Sequence, residues 1–227
     1  MPPGAPPQHP SVERKREEWR HLTDVEKRQI IAGYHGLTSV LDVCVGGILD
    51  ALERLGLWDD TLIVMTCDHG DMLFENELLL KFVMRESAVR VPLMVRAPGG
   101  AGCDRLEFAE QVDVVPTVCD MLGIDIPGSV QGRSLRPLMN EGAAPEQWRD
   151  AVFSQIAAHG PIDTMMVRTE RWKLVEYDGQ PGELFDMRND PQEFYNRIGE
   201  AGHAATVREL SDRIRAWQAD APPRTIS

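Results

Sequence analysis

The chain has 227 residues, 42% hydrophobic and 26% charged, the composition of an ordinary globular protein and enough length for one large domain or a domain with a small appendage. Its net charge of −12, from 24 basic and 36 acidic side chains, argues against a nucleic-acid partner. No apolar run approaches the roughly 20 residues of a membrane helix, so no membrane partner is expected either.

The opening residues, MPPGAPPQHP, are too rich in proline for a regular element and lack the basic-then-apolar order of a secretory leader. A charged stretch follows, Glu13 to Arg20, and residues 1–22 are expected to form a lead segment. Thr23-Asp24-Val25-Glu26 has the form of a helix capping box. Behind it, Ile30, Tyr34, Leu37, Leu41, Cys44, Ile48, Leu52 and Leu55 recur in steps of three and four, predicting a long helix with one buried stripe. Gly33, Gly36, Gly46 and Gly47 each cost about 1 kcal/mol in a helix interior, tolerable where a sheet packs closely. Gly56 is the expected stop.

Thr61 to Thr66 is a continuous apolar, β-branched run, expected as a strand buried on both faces in a parallel sheet. Val89 to Val95 predicts a second strand, with Pro92 at an edge or bulge, and Val112 to Leu122 a short helix broken or started near Pro116. This alternation assigns residues 23–145 to an α/β layer. Residues 146–227 read differently. Short strands are expected at Ala151 to Ile156, Met165 to Thr169, Lys173 to Tyr177 and Glu183 to Asp186, separated by turn residues, and they imply a small antiparallel sheet. A helix from about Ala204 to Ala219 closes it, followed by an extended tail, Ala221 to Ser227. The four cysteines, Cys44, Cys67, Cys103 and Cys119, lack paired spacing and are expected as buried free thiols, which favours the cytoplasm.

The chemistry is expected where the first buried strand ends, at Asp68-His69-Gly70. Ligands of open α/β sheets bind beyond the carboxyl ends of strands, and an oxygen beside an imidazole nitrogen suits a first-row divalent ion. Gly70 can open a turn that brings both to one cation; an ordinary strand-end turn with a solvated His69 is the alternative. Lys81, set among Leu78-Leu79-Leu80 and Phe82-Val83, either snorkels to solvent or meets an anion.

Several segments in order resemble the alkaline-phosphatase-type sulfatase superfamily, most closely its bacterial phosphonate monoester hydrolase and arylsulfatase branch. They are Tyr34-His35-Gly36-Leu37, Gly56-Leu57-Trp58-Asp59-Asp60-Thr61, Asp68-His69-Gly70-Asp71, Lys81, Arg90-Val91-Pro92-Leu93, Gln131-Gly132-Arg133-Ser134-Leu135, Arg168 to Leu174 and Glu183 to Pro191. The resemblance implies a partial alkaline-phosphatase-like α/β sandwich, a mostly parallel sheet flanked by helices, with the antiparallel sheet appended. It implies Asp68 and His69 as metal ligands, with manganese, zinc or iron favoured over calcium by the imidazole. It implies Lys81 against the anionic oxygens of a small sulfate, phosphonate or phosphate ester. The family's Gly-Glu-His-Gly-Leu-x-Gly-Lys reads Phe74-Glu75-Asn76-Glu77-Leu78-Leu79-Leu80-Lys81 here, so three glycines and a histidine are replaced. The family's nucleophile is a formylglycine made from cysteine in Cys-x-Pro/Ala-x-Arg; none of the four cysteines has that setting, so no nucleophile is expected from these residues. Two functions follow: an ester hydrolase completed by an amino-terminal half, or a non-catalytic relic or binding and assembly module on the same scaffold; a homo-oligomer is the other partner expected.

Overall fold

The computed structural model describes residues 8–100, 102–139, 145–156 and 163–220. The prolines of residues 1–7, the turn at His159-Gly160-Pro161 and the tail after Asp220 lie outside the described residues.

The charged lead segment is a helix, α1 (Pro10–Trp19), capped by the His9 side chain, and it buries Val12 and Arg16. Sequence periodicity hid it because only one of its apolar residues reaches the core. The capping box forms as expected, with Thr23 and Glu26 exchanging bonds, and starts α2 (Asp24–Arg54). The stripe on α2 is a correction: not one of its residues is buried, because no layer of the described chain packs on it. Leu37 is 72% exposed and Leu41 58%. By length and composition α2 could also cross a membrane. Run length had missed this because Thr38, Ser39 and Asp42 interrupt the run without lowering its average much.

Strands β1 (Ile63–Thr66) and β2 (Leu93–Arg96) form a two-stranded sheet, separated by the one-turn helix α3 (Glu86–Val89). The α/β class holds, yet these two strands run antiparallel, with Val64 opposite Val95 and Met65 opposite Met94. Neither strand is buried on both faces, again because α2 and this sheet have no layer against them. Helix α4 (Val114–Leu122) follows a 3-10 turn at Gln111–Asp113, and Pro116 fits its first turn, where no N–H is needed.

The carboxyl-terminal sheet follows the expected pattern: β3 (Ala151–Ile156), β4 (Thr164–Thr169), β5 (Trp172–Tyr177) and β6 (Gln180–Asp186), antiparallel in sequence order. Asp178 and Gly179, both at positive φ, make the β5–β6 turn. Helix α5 (Ala204–Asp220) buries Leu210 and Ile214 on one face of this sheet, with Val167, Leu174 and Leu184. On the other face, Met166, Val175 and Tyr177 pack with Val12 of α1 and with Met72, Leu78, Val83 and Met84 of the loop after β1. That second core anchors the loop carrying Lys81. The cysteines are free but none is buried, a further correction with the same cause: Cys44 sits on α2, while Cys67 and Cys119 are only half-covered.

Candidate metal and anion site

The turn after β1 is pinned from two sides. Gly70 N–H donates to Ala88 O at 2.9 Å, so closely that a side chain at 70 would put its Cβ 1.9 Å from Ser87 O. Only glycine fits there. From the other side, the Gln111 amide donates to the Asp68 carbonyl at 3.0 Å and to that of Cys67. Sequence reasoning did not single out Gln111; it lies 43 residues from Asp68, and nothing local marks it as a clamp.

Within this turn the expected ligands come together. Asp68 Oδ1 accepts the His69 N–H at 2.9 Å, which turns Oδ2 to within 3.2 Å of His69 Nε2. On the ring's other side, His69 Nδ1 lies 2.9 Å from Gly70 O. A carbonyl can only accept, so Nδ1 carries the proton and the Nε2 lone pair faces Asp68. With the ring neutral, both facing atoms are acceptors, an arrangement that a cation accommodates. Donors 3.2 Å apart, each about 2.1 Å from one ion, subtend about 100° there, between the tetrahedral and octahedral angles. The pair therefore fits one edge of a divalent site.

The rest of such a site is not supplied nearby: among the described residues, no group of three or more His, Cys, Asp and Glu side chains could hold a metal. Asp71, the adjacent carboxylate, is committed to the N–H groups of Leu73 and Leu80. Asp68 is 82% exposed and His69 37%, so the pair faces open solvent.

Lys81 arrives at the same point, its Nζ 2.5 Å from His69 Nε2 and 5.5 Å from the Phe82 ring centre. Its ammonium can donate to the Nε2 lone pair of the neutral ring. The loop reaches this position through strained backbone. Phe74, Glu77 and Leu80, the three positions where the family pattern has glycine, have φ of 68°, 61° and 65°. Leu73, Asn76 and Phe82 are also left-handed. The fold keeps the glycine geometry without the glycines, at about 1–2 kcal/mol per residue.

The sulfatase family model matches residues 2–124, and the model of the N-sulphoglucosamine sulphohydrolase carboxyl-terminal region matches residues 75–220. A multifunctional alkaline phosphatase superfamily protein from Trinickia caryophylli is 33% identical over 91% of this chain and 43% of its own length. An N-acetylglucosamine-6-O-sulfatase from Bacteroides thetaiotaomicron is 33% identical over 84% of this chain and 36% of its own. The structure of a phosphonate monoester hydrolase from Silicibacter pomeroyi superposes with a TM-score of 0.87 at 30% identity, over 97% of this chain and 49% of that one. The chain thus spans less than half the length of these relatives. It belongs to the sulfatase family, within the alkaline-phosphatase-like superfamily, and matches that family's carboxyl-terminal part.

Proposed function

We propose that this chain supplies part of the active site of a metal-dependent hydrolase of small sulfate, phosphonate or phosphate monoesters. The observation that carries the reading is the 3.2 Å approach of Asp68 Oδ2 to His69 Nε2, with Nδ1 held by the Gly70 carbonyl. Asp68 and His69 would hold a divalent ion, manganese, zinc or iron in preference to calcium because one donor is nitrogen. When bound, such an ion would polarise the ester and neutralise charge growing on its oxygens. Lys81, released from His69 as the ion takes the Nε2 lone pair, would bind the same anionic oxygens, balancing charge that an acidic chain otherwise repels. Gln111 and Gly70 hold the turn that carries the pair. The remaining metal ligands and the formylglycine nucleophile would come from residues beyond those described.

A second reading, a non-catalytic module on this scaffold, is favoured by the left-handed Phe74, Glu77 and Leu80, which burden the loop that aims Lys81. Hydrolysis separates the two. The chain is assayed on nitrophenyl sulfate and phenyl phosphonate esters, with manganese or zinc, together with the unmatched portion of the Trinickia relative. Turnover lost in Asp68→Ala and reduced by Lys81→Ala supports the hydrolase; turnover indifferent to both variants, or none with either metal, supports the module.

A further inference from the structure

We infer that Arg16, on the lead helix α1, is a positioning residue for Lys81: it holds the tip of the loop that brings the lysine to the Asp68–His69 turn. The inference rests on reading Lys81 as the group that meets the ester's anionic oxygens.

The loop is a narrow hairpin. Met72 N–H donates to Leu80 O at 2.9 Å and Phe74 N–H to Leu78 O at 2.7 Å, while the Leu80 N–H is taken by Asp71. Asn76 lies at the tip and Lys81 follows the stem, so the hold on the tip sets where the lysine points. By itself this backbone is unfavourable: Leu73, Phe74, Asn76, Leu80 and Phe82 all have left-handed φ, and none is glycine. Strain of this kind persists only where surrounding structure imposes it.

Helix α1 imposes it at three points. Arg16 Nε donates to Asn76 O at 2.8 Å, across 60 residues of sequence. Val12, 2% exposed, packs in one core with Met72, Leu78, Val83 and Met84. Lys15 Nζ lies 5.4 Å from the centre of the Phe82 ring, the same ring that Lys81 Nζ approaches to 5.5 Å. The Asn76 side-chain amide in turn donates to Gln192 O at 3.0 Å, and that of Gln8, just before α1, to Phe194 O at 3.0 Å. Loop tip and helix thus share one anchor, the segment after β6. Packing alone does not account for Arg16. It is 6% exposed, its Nη1 is held by Glu13 at 2.8 Å, and its Nη2 has no hydrogen-bond partner among the described residues. An apolar side chain of that size would fill the place without a buried, unpaired donor, but it would leave Asn76 O unheld.

The test reads the position of Lys81 in the full chain and needs neither metal nor turnover. The nuclear Overhauser contact between the Lys81 Hε and His69 Hε1 protons is compared in the parent, Arg16→Met and Arg16→Met/Leu80→Gly chains. One charge-assisted hydrogen bond shifts a closed-to-open ratio by about 10- to 100-fold. In Arg16→Met the contact should be lost and loop order parameters should fall from about 0.85 to below about 0.6, with the cross-strand contacts of β4–β6 kept. Adding Leu80→Gly, which relieves left-handed strain, should restore part of the contact. A residue that only stabilised the fold would lower the urea midpoint with the contact intact, and that result overturns the inference, as does a Leu80→Gly addition that restores nothing. Where Arg16→Met also frees α1, seen at the Val12 and Glu13 amides bonded to His9 O, Arg16→Lys decides. It keeps the charge but lacks the planar fork that spans Asn76 and Glu13, so the contact should weaken, and one as strong as the parent's overturns the inference. Loss of the contact in Arg16→Met, beside a parent chain that shows no turnover with the unmatched portion of the Trinickia relative, would count against the hydrolase reading alone.

Discussion

Around Asp68, single residues decide the geometry. Gly70 and Leu80 make opposite demands on their backbones: the first needs glycine for space, the second holds a left-handed φ of 65° with a leucine. Leu80→Gly should therefore stabilise the chain by about 0.5–1 kcal/mol, the relief of left-handed strain less the entropy glycine loses on folding. Gly70→Ala should destabilise it and pull the turn off Ala88. Urea unfolding monitored by circular dichroism measures both, and a destabilised Leu80→Gly would show that the loop is relaxed as it stands. The substituted glycines were legible in the sequence, since a family motif records where a bend is sharp. Gln111 was not, because a clamp across 43 residues leaves no local pattern.

Individual elements separate into those with a layer to pack on and those without one. Strands β3 to β6 and α5 were legible because each buries what its own periodicity predicts: Leu174 and Leu184 are fully buried, and so is Ile214 on α5. The periodicity of α2 was equally clear, but it reports which face is apolar and not whether anything covers it. The two cases predict different costs. Ile214→Ala should destabilise the chain by about 2–5 kcal/mol, while Leu41→Asp, in the chain alone, should stay within about 0.5 kcal/mol. Thermal or urea unfolding of the two variants tests this; a large loss in Leu41→Asp would mean that α2 packs on something in the isolated chain. Lys173 and Glu183 show a different limit: the pattern of short strands does not mark them as buried, yet both lie inside.

Across the whole molecule, buried ion pairs join the lead segment and the loop to the carboxyl-terminal sheet. Arg85, 1% exposed, forks onto Glu183 at 2.8 and 3.0 Å and also meets Gln8. Lys173, fully buried, meets Glu193 at 2.8 Å and Glu86 at 2.5 Å. Burial pushes the Glu183 carboxyl up, but the Arg85 charge and hydrogen bonds from Arg85, the His9 N–H and Tyr177 outweigh it and hold it below its ordinary value. Burial likewise opposes ionisation of Asp186, and hydrogen bonds from Arg171 and Asn189 bring it to about 2. Both groups are depressed in the folded chain, so the stability they add is present above the unfolded carboxylate range near pH 4 and is lost as pH falls through the folded values. Glu183→Gln strands a buried guanidinium and should cost about 3–5 kcal/mol at neutral pH, with a shallower dependence on acid than the parent chain. Unfolding curves from pH 7 to pH 2 read both effects, and a parent chain whose stability does not fall with acid would refute them.

At this scale two donors on an open face, Asp68 and His69, are proposed to hold an ion, and the most direct test is where a divalent ion goes. Manganese is titrated into the full 15N-labelled chain, and paramagnetic broadening is followed residue by residue. Signals of Asp68, His69, Gly70 and the Lys81 loop should disappear first, and a chain carrying Asp68→Asn and His69→Gln should lose that selectivity. Broadening spread evenly over the acidic surface, or unchanged in the double variant, would contradict the assignment of this turn as a metal edge.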